Sequence, residues 1–101
     1  MATERSFIEE FLSGLVDVRV HPMMGEYVLY CREKSVGCIC DNRVYIKITP
    51  QSKRYLDGCA EVPPYLGAKP RYLVEKTDKE WMQEMLFAVA DGLPAPKPKK
   101  K

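Results

Sequence analysis

At 101 residues, with 46% hydrophobic and 30% charged residues, the chain has the length of one domain and the composition of a folded one. This excludes two separate cores and a largely disordered protein. The net charge of +2 is unevenly placed: Lys97, Lys99, Lys100 and Lys101 crowd the end, and without them twelve basic residues stand against 14 acidic ones, so the body is not a basic nucleic-acid platform.

Glu4, Glu9 and Glu10 fall where a secretory leader would need a positive flank and an unbroken apolar run. No stretch approaches the roughly 18 apolar residues of a membrane span. The expectation is a cytoplasmic protein without a membrane partner, its cysteines reduced.

In chain order, residues 4–15 predict a helix, because Phe7, Ile8, Phe11, Leu12 and Leu15 recur on one face. Thr3 or Ser6 is placed to cap it, Ser6 with Glu9 having capping-box spacing, and Gly14 to end it. Val18 to His21 alternates as a strand and stops at Pro22; Met23-Met24-Gly25-Glu26 reads as a turn or bulge around Gly25. Tyr27 to Arg32, Ser35 to Cys40 and Arg43 to Ile48 then form three strands of an antiparallel meander. A tight Glu33-Lys34 connection joins the first two, and an Asp41-Asn42 turn the last two, since both of those side chains tolerate positive φ. Pro50 opens a short helical or turn segment with Gly58 behind it. Cys59 to Pro70, with three prolines and a glycine, reads as a surface loop, and Arg71 to Glu75 as one more strand. Asp78 caps a second long helix running to about Gly92, with Trp81, Met82, Met85, Leu86 and Val89 as its apolar stripe. The run from Leu93 to Pro98 breaks it. Residues 1–93 are thus expected to form the domain and residues 94–101 a flexible Pro/Lys-rich tail. The predicted class is α+β: two layers, with an antiparallel sheet of four to five strands flanked by an N-terminal and a C-terminal helix.

With a Glu33-Lys34 loop, Leu29 stands opposite Cys38. Leu29, Cys31, Val36, Cys38, Cys40, Tyr45 and Lys47 then share one face, and Val28, Tyr30, Gly37, Ile39, Val44, Ile46 and Ile48 the other. A single β-bulge would exchange the faces of a whole strand. Both faces are too apolar to lie open to water: either two helices cover one face and leave the other to a partner, or one helix covers each face, and the surplus predicts a homodimer. Its contact is expected at Leu29, Val36 and Cys38, or at the Trp81 and Met85 stripe, with Gly37 marking close approach of another backbone.

Candidate chemistry is sparse. Cys31, Cys38, Cys40 and Cys59 lack the paired spacing of zinc sites, and Cys38 and Cys40, two apart on a strand, read as small buried core residues. His21 is the only histidine and has no nucleophile-acid set around it. The glycines are too scattered for a phosphate loop. Asp78, Glu80 and Glu84 read as a solvated helix face. The tyrosines of the strands could stack bases, but no RNA-binding motif accompanies them. No catalytic residue, metal or cofactor is expected. The lysines at 97, 99, 100 and 101 form a weak anion-binding tail with strong salt dependence.

Two blocks carry a resemblance. The run Pro22-Met23-Met24-Gly25-Glu26-Tyr27-Val28-Leu29-Tyr30 resembles the P-M-F-G-G-Y-G-L-Y segment of TfoX N-terminal domains. Asp41-Asn42-Arg43-Val44-Tyr45-Ile46-Lys47-Ile48 is similar to that family's D-D-x-L-Y-L-K-V strand. The resemblance covers residues 4–91 and departs at Met24 and Glu26. It implies a secretion-chaperone-like α+β fold that often dimerises, and no catalytic residues. TfoX proteins are regulators of natural competence, in which this domain is joined to a C-terminal domain not among these 101 residues. The functional expectation is a small non-enzymatic regulatory or protein-interaction module, homodimeric. The alternative is a nucleic-acid-associated regulator that uses the lysine tail.

Overall fold

Residues 3–23, 26–76 and 78–93 are described by the computed structural model. In order they form α1 (Arg5–Leu12), β1 (Val18–Met23), β2 (Glu26–Cys31), β3 (Lys34–Cys40), β4 (Arg43–Ile46), α2 (Pro50–Leu56), β5 (Glu61–Val62), β6 (Arg71–Val74) and α3 (Lys79–Gly92). The strands make one antiparallel sheet in the order β1-β2-β3-β4-β6-β5. The class is α+β as predicted, with six strands rather than four or five. The additional strand, β5, has two residues inside the Pro-rich loop, too few to leave a period in the sequence. β1 runs through Pro22 to Met23, where it was expected to stop. It is an edge strand, and there proline's missing amide breaks no ladder. Met24 and Gly25 of the expected turn lie outside the described residues, as do residues 94–101 with the four tail lysines.

Turn chemistry sets the meander. The β3–β4 hairpin closes on Asp41 and Asn42 at φ 53° and 59°, as their side chains predicted. The β2–β3 hairpin closes on Arg32 and Glu33, at φ 52° and 64°, one residue before the expected Glu33-Lys34 position, so that Cys31 pairs with Lys34. Neither Arg nor Glu carries a turn signature.

The ladder between β2 and β3 then slips. Leu29 pairs with Gly37 and Tyr30 with Ser35, which leaves Val36 as an extra residue. This bulge exchanges the faces of the rest of β3. Ile39 joins Leu29, Cys31 and Val36, with Val44 and Ile46 beside them. Cys38 and Cys40, expected with Leu29, lie on the opposite face with Tyr45. The expected face assignment therefore holds before the bulge and is reversed after it. Gly37 does mark a close approach, but to its own neighbour: a Cβ there would lie 2.0 Å from the Tyr45 carbonyl oxygen on β4.

All three helices cover the face that carries Leu29 and Ile46. Ile8 and Phe11 come from α1, Leu56 from α2, and Met82, Met85, Leu86, Val89 and Ala90 from α3. The helix termini are tied down by side chains. Thr49 and Ser52 form a reciprocal capping box that brackets Pro50, and Asp78 accepts from the Glu80 and Trp81 amides. The expected cap of α1 by Thr3 or Ser6 is not made. Thr3 is buried, its hydroxyl donating to Glu26 Oε1 (2.9 Å) and accepting from the Asn42 amide, while the Glu4 amide donates to Asn42 Oδ1 (2.9 Å). At the other ends, Lys79 Nζ donates to the carbonyls of Glu10, Phe11 and Ser13 below α1. Lys34 Nζ donates to those of Ala90 (2.9 Å) and Leu93 (3.1 Å) below α3. Ammonium groups there complement the negative ends of the helix dipoles.

Candidate functional site

With the helices on one side, the other side of the sheet carries residues of β2, β3 and β4, with Val62 of β5 and Tyr65 of the loop that follows packed beside them. There Cys38, Cys40 and Tyr45 pack with Val62 and Leu73 into a small second apolar cluster. Beside it runs a groove of about 670 Å³, lined by Val28, Tyr30, Cys38, Lys47, Tyr65 and Arg71 among others. Its rim carries large apolar groups in water: Met23 is 53% exposed and Tyr65 59%, and the neighbouring Leu66 is wholly exposed.

Two cations face this groove. Lys47 follows β4, and its amide donates to the Val36 carbonyl (2.9 Å), which continues the ladder past the bulge and keeps its side chain on the open face. Arg71 opens β6. Burial, and then the charge of Arg71, hold the Lys47 ammonium below the usual lysine range. Among the described residues neither side chain makes an ion pair or hydrogen bond. Among the described residues Glu26 is the one carboxylate lining the groove, and its Oε1 already accepts from Thr3 Oγ1 and from the Asp41 amide. Arg19 lies over the Tyr30 ring, 4.4 Å from its centroid, and is paired with Glu33 at 2.9 Å.

Three of the four thiols, those of Cys31, Cys38 and Cys40, are buried. Cys38 and Cys40 stand with Sγ atoms 3.9 Å apart; burial pushes both up, Cys40 to about 12, and burial pushes Cys31 up to about 11. Among the described residues no three His, Cys, Asp or Glu side chains gather as metal ligands.

The expected contact residues are divided by the fold. Leu29, Val36 and Met85 are wholly buried under the helices within one protomer, so they cannot meet a second copy. Cys38 lies on the opposite face at the floor of the groove. Trp81 is half-buried on α3, edge-on to Tyr55 with centroids 6.5 Å apart and beneath Lys76. Lys47 and Arg71 were not singled out from the sequence. The signal available was the alternation of β4, which puts Lys47 on the face of Tyr45. For Arg71 there was none before the β4–β6 pairing was known.

No helix among the described residues is long and apolar enough to cross a membrane. No protein-family model and no solved structure matches the chain. It is similar to the "uncharacterized 12.7 kDa protein in trpE 5'region" of Spirochaeta aurantia, at 38% identity over 105 aligned positions that cover 99% of this chain and 91% of that protein.

Proposed function

This chain belongs to the family of that Spirochaeta aurantia protein, and we propose that it is a small non-enzymatic protein-interaction module of regulatory type whose contact surface is the open sheet face. One observation carries the reading: among the described residues, the groove beside Val28 and Tyr30 joins exposed apolar groups to two uncompensated cations, on a face that no helix covers. Large apolar patches rimmed by polar groups mark interaction sites rather than chemistry. The thiols held protonated by burial point away from a nucleophilic role for the same floor. The likeness of residues 22–30 and 41–48 to TfoX N-terminal domains supports a regulatory module, since both blocks contribute to this face.

The homodimer expected from the apolar surplus loses its first contact, because Leu29 and Val36 are spent inside the protomer. What remains for a partner is the open face itself. The test is site-specific photocross-linking in the protein's own cells, with the reactive side chain at position 30 and, as a control, at Lys53 on α2. The reading expects a discrete polypeptide adduct from position 30 and none from position 53. A nucleic-acid adduct would favour the alternative regulator that uses the tail lysines, and no adduct at position 30 would refute the interaction reading.

A further inference from the structure

The open face is not complementary to itself. It presents Lys47 and Arg71 to the groove. A two-fold contact through this face would bring two pairs of like charges together, and the carboxylate among the described lining residues, Glu26, is already tied to Thr3 and the Asp41 amide through its Oε1. Nor does the face offer the basic track of a nucleic-acid site. Arg19 is held by Glu33, and apart from the lysines at 97, 99, 100 and 101 the chain carries more acidic than basic residues.

What fits two adjacent, partly desolvated cations beside apolar and aromatic surface is a carboxylate attached to an apolar neighbour. We propose that the groove receives an acidic segment of a partner protein, with an Asp or Glu side chain set between Lys47 and Arg71 and an aliphatic or aromatic side chain laid across Val28 and Tyr30. The guanidinium of Arg71 can hold both carboxylate oxygens while Lys47 supplies a point charge, and removing the carboxylate from water strengthens both contacts. The groove's volume of about 670 Å³ accommodates a few side chains rather than a folded domain. This specificity rests on the interaction reading above.

The experiment is selection of the full chain against a random linear peptide library, followed by binding measurements on the enriched peptides. The expected result is enrichment of Asp or Glu next to Phe, Tyr, Trp, Leu or Ile. The selected peptide should bind about tenfold more weakly to Lys47→Gln or Arg71→Gln, and more weakly again in high salt. Lys53→Gln should bind as the parent does. The double variant Lys47→Glu/Arg71→Glu should select basic peptides instead. Thermal melts of each variant, and amide shifts at Val28 and Tyr30 on adding the peptide to the unmodified chain, separate lost contacts from lost fold. Enrichment without acidic residues, shifts confined to the helical side, tighter binding of single-stranded oligonucleotides at the groove, or a dimer closed through this face would each overturn the proposal. A polypeptide adduct at position 30 combined with selection blind to charge would sink the acidic segment and leave the interaction module standing.

Discussion

Replacing Gly37 with alanine adds one methyl group at the point where β3 passes closest to β4. The new Cβ would meet the Tyr45 carbonyl oxygen at 2.0 Å and the Ile46 Cα at 3.0 Å. Both are backbone atoms of the neighbouring strand, so no side-chain rotation relieves the contact. The strands must part by an ångström or more where Gly37 pairs with Ile46 and where the Lys47 amide reaches Val36. Overpacking of this kind costs about 3 kcal/mol, against a total stability of roughly 5–15 kcal/mol. For a domain of this size that lowers the melting temperature by roughly 12–24 °C. Gly92→Ala is the internal comparison, because the atoms it would meet, at 2.2 Å, are the far end of the Gln51 side chain, which can swing aside. At the last residue of α3 alanine gains up to about 1 kcal/mol of helix propensity, so the two substitutions should have opposite signs. Urea and thermal unfolding followed by circular dichroism measure both. A Gly37→Ala variant within about 0.5 kcal/mol of the parent would refute the close approach of β3 to β4 at Gly37.

Lys79→Met should remove the ammonium that closes α1 and cost about 1–2 kcal/mol, read from urea midpoints, with hydrogen exchange rising first in residues 9–13. Thr49→Ala and Asp78→Ala should each cost about 1 kcal/mol by the same assay, since each withdraws a helix cap. Thiol titration of the native protein should find Cys59 reacting first and Cys31, Cys38 and Cys40 protected until denaturation, when all four react. Those raised thiols also fix a pH dependence: the folded state holds their protons more tightly than the unfolded one. Stability contributed by burying them neutral is therefore fully present below the ordinary thiol value of about 8.5 and is lost as pH climbs towards about 11 for Cys31 and about 12 for Cys40. Urea midpoints measured from pH 8 upward should fall, and Cys40→Ser should flatten the decline.

Helix positions were legible because their signals are local and periodic. The stripe from Met82 to Val89 and the cap at Asp78 need only neighbouring residues. The Asp41-Asn42 turn was legible for the same reason. Face assignment was not, because it depends on where one extra residue is absorbed. A glycine inside a strand signals a bulge, but the sequence does not say whether the slip falls before or after Val36, and one residue decides the side taken by Cys38 and Cys40. The turn at Arg32-Glu33 left no trace either. The groove was the least legible feature, since Val28, Lys47 and Arg71 come from three segments that only strand order brings together. Thr3 misled for a related reason: it looks like a helix cap and is instead buried against a hairpin 39 residues away.

The lysine that closes α1 lies 69 residues beyond the carbonyl of Glu10, and Gln83, whose side chain holds both the amide and the carbonyl of Val16, lies 67 residues beyond its partner. α1 is thus fastened by α3, which follows it in the chain. While the chain is still being synthesised, Ile8 and Phe11 have strands to lean on but no clasp, and the apolar side of the meander waits for Met85 and Leu86. The whole domain must therefore leave the ribosome before its sheet is sealed, and chain terminations anywhere before α3 would release polypeptides with a bare hydrophobic sheet, ready targets for chaperones and proteases.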